Sequence, residues 1–198
     1  MASATLLASG RVENASTRAF AAASRFYADA VAAVPPERYA ERWSDVWRII
    51  DLIAHGNRAN TLPVEYYERP VAKAGPEYVL PESIAARARE AVSFLGEDPV
   101  ATVRAASERA LAVVAAAPEG ATVGTPFGEE LLETYLASRT AELMLHGLDL
   151  DADLDPPDEA VTAATAFLCG RAVRLGRGIE LLRALSGRGA LAPGFSVY

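Results

Sequence analysis

The sequence is poor in several of the residues that usually announce a protein's class. It has one cysteine, Cys169, which excludes an intramolecular disulfide and any metal site built on several thiolates. The apolar neighbours of that cysteine, in ATAFLCGRAV, predict a buried small side chain rather than a nucleophile. Positive charge is short: 19 Lys and Arg stand against 26 Asp and Glu, a net charge of −7. A broad phosphate-binding surface is therefore lacking, and nucleic acid is not an expected partner. No apolar run approaches the roughly 20 residues of a membrane helix. The short apolar stretch in MASATLLASG has no basic residues before it, so no leader and no membrane are expected, and the setting is read as cytoplasmic. Histidine is nearly absent. The two present, His55 and His146, each close an apolar run and each precede glycine, in DLIAHG and ELMLHG.

What remains is apolar, alanine-rich and helical in its spacing. With 198 residues and 51% hydrophobic content the chain can bury one substantial core, and a single domain spanning 1–198 is expected. Apolar residues recur at steps of three and four, β-branched clusters are few, and the class read from the pattern is all-α. A first helix is predicted over about 13–34, carrying Phe20, Ala23, Tyr27, Ala30 and Val34 and stopped by Pro35 and Pro36. A second begins near Ser44 with Val46, Ile49, Ile50 and Ile53 on its apolar side. The Pro-, Gly- and Tyr-rich stretch at about 61–81 reads as an irregular crossing loop. A helical region over about 82–117 is broken near Gly96 and Pro99. Thr125 as cap, Pro126 in first position and Glu129 and Glu130 near the positive dipole end predict the start of a further helix that ends at Gly147. A last helix is expected over about 157–185, then an irregular tail at about 186–198.

Two apparent motifs fail on inspection. The alternation of Asp149, Asp151, Asp153 and Asp155 imitates a calcium loop, but Leu154 and Ala160 stand where that loop needs glycine and glutamate. A solvated acidic turn is expected instead. Arg171, Arg174, Arg177, Arg183 and Arg188 are read as a charged helix face and tail.

One constellation survives. Glu142 and His146 are four apart, so on a helix they share a face. Leu143, Met144 and Leu145 around them imply partial burial, where a carboxylate needs compensation. A divalent metal would compensate it, and His55 could supply a third ligand. Two histidines and a carboxylate are the protein ligands of an open catalytic zinc class, and they also suit non-haem iron. The spacing equally allows an intrahelical hydrogen bond and a plain helix-end histidine.

The wording around these residues adds something more specific. WRIIDLIAHG, with Trp47, Asp51 and His55, and SRTAELMLHGLDL, with Arg139, Glu142, His146, Gly147 and Asp149, resemble the two signature segments of the mycothiol-dependent maleylpyruvate isomerase family. LLRALSGRGALAPGFSVY resembles the way the family's metal-binding domain finishes. The resemblance implies a DinB-like four-helix bundle with additional short helices, and a divalent metal, usually zinc, on His55, Glu142 and His146. It implies a low-molecular-weight thiol, mycothiol, as co-substrate and a small electrophile as substrate. The chain would be a thiol S-transferase or a cis–trans isomerase, monomeric or homodimeric. A metal-dependent hydrolase and a non-catalytic metal-stabilised binding module are the alternatives. Asp51, as a hydrogen-bond acceptor that orients a ligand histidine, and Arg139 are candidates for catalytic roles. Asn57, Arg58, Tyr66 and Tyr67 are candidates for the cavity entrance. The chain departs from the family pattern at Arg48, where threonine or serine is frequent, and at Gly56, where leucine is frequent and where a changed pocket floor is expected. The isomerase proper also carries a second domain, which this sequence lacks before Tyr198, so maleylpyruvate itself is not the expected substrate.

Overall fold

The computed structural model describes residues 14–197. Glu13, Tyr198 and the N-terminal stretch discussed above lie outside them. In chain order the described elements are α1 (Ala15–Ala33), α2 (Ile49–Glu68), α3 (Pro81–Val92), α4 (Pro99–Ala116), the strands β1 (Thr122–Thr125) and β2 (Gly128–Leu131), α5 (Leu132–Asp149), α6 (Asp158–Arg174) and α7 (Gly178–Leu185). Helices α1, α2, α4 and α5 pack side by side as a four-helix bundle; α3 lies on α2, and α6 lies on α5 and α1. Among the described residues the fold is all-α apart from one short hairpin. Among the described residues no helix is long and apolar enough to cross a membrane.

The core follows from the helical spacing of apolar residues. Phe20, Tyr27 and Val31 of α1 are fully buried against Leu52 and Ile53 of α2 and Leu136 and Leu143 of α5, within one continuous cluster. Each such side chain contributes about 1.5–3 kcal/mol by leaving water. Asn14 caps α1 by accepting from Thr17 N–H at 2.9 Å, and its amide donates to Glu133 of α5 at 3.2 Å. A buried polar bridge ties three helices: Ser24 of α1 donates to Asn60 of α2 at 2.8 Å and lies 2.6 Å from Ser107 of α4.

Several expectations need correction. The second helix starts at Ile49, not near Ser44, because the Ser44 hydroxyl accepts from the Val46 and Trp47 amides and holds a turn. Val46 lies outside the helix and is exposed. That helix then runs through the expected crossing loop to Glu68, with Pro63 inside it. An interior proline costs about 3 kcal/mol, which burial of Leu62, Val64 and Tyr66 around it offsets. The irregular stretch shrinks to residues 69–75 and a short 3₁₀ turn, Pro76–Val79.

The helix start read at Thr125 and Pro126 is a hairpin. β1 and β2 pair antiparallel, with Thr125 opposite Gly128. The Thr125 hydroxyl donates to the Gly128 carbonyl and accepts from Phe127 N–H, and Gly128 sits at φ 123°, closed to other residues. Cap-forming chemistry thus serves the turn, and α5 begins only at Leu132 and continues past Gly147 to Asp149. The last expected helix is two, because Gly176 at φ 74° turns the chain between α6 and α7. Cys169, on α6, is half-buried rather than buried. The basic bias of this region holds the tail: Arg171 donates to the Val197 carbonyl, and Arg177 donates to that of Ser196 while lying 3.9 Å over the Phe195 ring.

Candidate metal centre

The bundle brings α2 and α5 together so that both histidines face one another across it. Neither ends its helix; both sit within helical turns, and the glycines after them are packing positions. A Cβ on Gly56 would stand 2.6 Å from the Tyr27 hydroxyl, and one on Gly147 would stand 2.6 Å from Cε1 of Phe26. Gly56 is therefore buried against α1 and does not form a pocket floor.

The ligand-type atoms of His55, Glu142 and His146 all lie within 4.8 Å of one another. His146 Nε2 is 3.3 Å from Glu142 Oε2, as the four-residue spacing requires, and His55 Nε2 approaches the same oxygen at 3.9 Å. The side chains are about four-fifths buried, with exposures of 21%, 18% and 17% in chain order. Two ligands with 2.0–2.1 Å bonds to a tetrahedral ion stand about 3.3 Å apart; the first pair is at that separation and the second is somewhat wider. His55 Nδ1 is buried without a hydrogen-bond partner. The imidazole thus lacks any protein hydrogen bond among the described residues, and the two-histidine, one-carboxylate donor set fits a divalent ion.

Electrostatics set the three groups apart. Burial and the neighbouring His146 charge push His55 down to about 4, against the pull of Glu142. Burial also works to lower His146, but hydrogen bonds to Asp149 and Glu142 outweigh it and raise the ring to about 9. Burial would raise the Glu142 carboxyl; the His146 hydrogen bond and the charge of Arg139 hold it instead at about 2. Two of the three are thus in ligand form at neutral pH, and His146 carries the proton an ion must displace.

The cluster borders a cavity of about 560 Å³, a volume suited to a small organic ligand. Trp47 closes one side with its ring edge-on to His55 at 4.8 Å, and Trp43 follows at 6.5 Å. Tyr66, Tyr78, Tyr135 and Phe127 line the walls. The Tyr66 and Tyr78 hydroxyls are 3.4 Å apart, and Tyr78 meets the hairpin's Phe127 edge-on. Arg58, Arg87 and Arg139 add positive charge. The Arg87 guanidinium stacks 3.9 Å over Tyr78 and donates to its carbonyl at 2.7 Å.

Of the expected entrance and catalytic candidates, Arg58, Tyr66 and Arg139 border the cavity; Asp51, Asn57 and Tyr67 do not. Asp51 does not orient a histidine. Its carboxylate accepts from Nε and one terminal nitrogen of the Arg48 guanidinium and from the Arg48 backbone N–H, each at 2.9 Å, and so starts α2. Asn57 is buried and accepts from Asn60 inside the core, and Tyr67 packs on the core from outside. The histidine-orienting carboxylate is Asp149, 3.2 Å from His146 Nδ1. Its signal was present, since an acid three residues after a helical histidine shares its face. Tyr135 lies two turns before Glu142 and was findable in the same way. Arg87, Tyr78 and Phe127 arrive from a helix, a turn and a hairpin tip, with no local sign of convergence.

The fold and the cluster define a helical bundle with an open, mixed histidine–carboxylate centre. The family described as mycothiol maleylpyruvate isomerase N-terminal domain matches residues 20–151, well over half of the chain, and the protein belongs to that family. Neither a curated protein nor a solved structure matches it.

Proposed function

We propose that this protein is a metal-dependent enzyme that joins a low-molecular-weight thiol to an electrophilic small molecule, as an S-transferase or as a cis–trans isomerase. The observation that carries this reading is the convergence of His55, Glu142 and His146 at the edge of a cavity sized for a small ligand. A divalent ion held by these three, zinc foremost, supplies the Lewis acidity that keeps a thiol ionised at neutral pH. The thiol is of the mycothiol type named in the family's description, and it comes from outside the chain, since Cys169 does not border the cavity.

The chain's own residues shape the rest. Addition forms one sulfur–carbon bond and moves the double-bond electron pair onto the rest of the electrophile. Arg58, Arg87 and Arg139, all lining the cavity, provide positive potential for that growing charge. Tyr135, pushed up to about 12 by burial, stays protonated and available as a donor. Tyr66 is raised by burial and by its bond to Tyr78. Protonation of the adduct leaves a conjugate, the transferase outcome. Rotation about the former double bond and departure of the sulfur return an isomer.

The test is incubation of zinc-loaded protein with mycothiol and a panel of activated alkenes and halides, read by mass spectrometry for conjugates and by chromatography for isomers. Thiol-dependent products are expected, reduced at least about 100-fold in His146→Ala. Undiminished turnover by a folded His146→Ala protein overturns the reading.

A further inference from the structure

Helix α1 supplies no ligand, yet two adjacent residues on it, Phe26 and Tyr27, touch the turns that carry both histidines. Tyr27 is fully buried, and its hydroxyl donates to the Ile53 carbonyl at 2.7 Å. The Asn57 backbone N–H also faces the phenol oxygen and favours its charged form, against the larger effect of burial. Ile53 and Asn57 are four apart, the two ends of a single helical rung. The phenol therefore sits at the rung that spans His55. It reaches the backbone there because residue 56 has no side chain: a Cβ on Gly56 would lie 2.6–2.7 Å from the hydroxyl and two ring carbons. On the other side of α1, Phe26 fills the corresponding space above Gly147, directly after His146.

We propose that Tyr27 is a positioning residue for the metal centre: its hydroxyl, admitted by Gly56, fixes the α2 turn bearing His55 relative to Glu142 and His146 on α5. A side chain inserted at a helical rung sets the local direction of the helix, and the imidazole is carried with it. This matters most at His55, because no hydrogen bond to its own ring holds it. His146 is oriented by Asp149; His55 is oriented through its backbone. The inference rests on the metal reading above.

The test compares Tyr27→Phe, which keeps the ring and removes the hydroxyl, with Ser24→Ala, which removes another buried hydrogen bond between α1 and α2, to Asn60, a turn beyond the rung that spans His55. Both are expected to lower the stability of the metal-free protein, so stability does not discriminate between them. Zinc affinity, by competition with a chromophoric chelator, is expected to fall about tenfold or more in Tyr27→Phe, in the range typical of residues that orient ligands. It is expected to remain at the wild-type value in Ser24→Ala. The visible bands of the cobalt-substituted protein are expected to change in Tyr27→Phe alone. Equal zinc affinity in Tyr27→Phe and wild type overturns this inference and leaves the metal reading standing. Equal losses in Tyr27→Phe and Ser24→Ala overturn it too, since the effect is then general loosening. A wild type that takes up neither ion overturns the metal reading and the inference together.

Discussion

The Asp149 carboxylate lies 3.2 Å from His146 Nδ1, while Glu142 lies 3.3 Å from Nε2 of the same ring. One imidazole is thus held between two acids, and the other, His55, has a single acid beside it, the same Glu142 oxygen at 3.9 Å. The two histidines are unequal before any ligand arrives, and the inequality has measurable consequences.

Zinc uptake at pH 7 is expected to release about one proton, from His146, because His55 and Glu142 are already in ligand form. The raised value of about 9 for His146 against about 4 and about 2 for the other two sets this expectation. Calorimetry in buffers of different ionisation enthalpy measures the release, which should shrink as the pH is taken up through 9. Release of two or more protons at pH 7 contradicts this assignment of the resting state.

The same ring governs stability of the metal-free protein. His146 moves from 6.5 in the unfolded chain to about 9 in the folded one, so folding favours the proton-bound form. Its contribution is complete below pH 6.5 and is lost as the pH rises through 9. Urea midpoints in the presence of chelator are expected to decline across that window, and His146→Gln is expected to flatten the decline.

Replacing Asp149 with Asn removes the charge while keeping the shape. Zinc affinity is expected to drop 10- to 100-fold, with the metal-free protein still folded by circular dichroism. An unchanged affinity assigns Asp149 to the acidic turn alone.

Asp51→Ala separates a helix-starting role from a site role. With the Arg48 N–H and guanidinium unpaired, stability is expected to fall by about 1 kcal/mol. Zinc stoichiometry is expected to stay at the wild-type value, which equilibrium dialysis checks.

Gly147→Ala sets two effects against each other. Alanine gains up to about 1 kcal/mol in helix propensity, but its Cβ meets Phe26 at 2.6 Å, and overpacking of this kind costs about 1–3 kcal/mol. A net loss is expected in thermal unfolding, and Phe26→Leu in the same chain is expected to recover it.

The bundle helices and the pairing of Glu142 with His146 were legible because each depends on short-range periodicity. Glu142 and His146 share a face by spacing alone, and the apolar steps from Phe20 to Val31 mark α1 without help from the rest of the chain. The failures share a different cause. Thr125, Pro126 and Glu129 carry good helix-start chemistry, yet the same residue types build a hairpin turn. The choice is made by tertiary contacts, such as Val71 N–H to the Gly124 carbonyl at 3.1 Å. Pro63 reads as a helix breaker, and only the buried neighbours Leu62, Val64 and Tyr66 overrule it. Gly56 and Gly147 read as helix ends because space for an aromatic ring leaves no mark on the local pattern. Asp51 looked like a histidine partner from its position one turn before His55. Arg48, nearer in sequence and oppositely charged, claims it first.

Both tryptophans of the chain, Trp43 and Trp47, border the cavity. Indole emission from this protein therefore originates wholly at the rim of the centre, with none from the remainder of the bundle to dilute it. Light absorbed by these two rings is a label already installed, and an ion beside His55 or a molecule entering beneath Trp47 should register in the colour and intensity of the protein's own fluorescence.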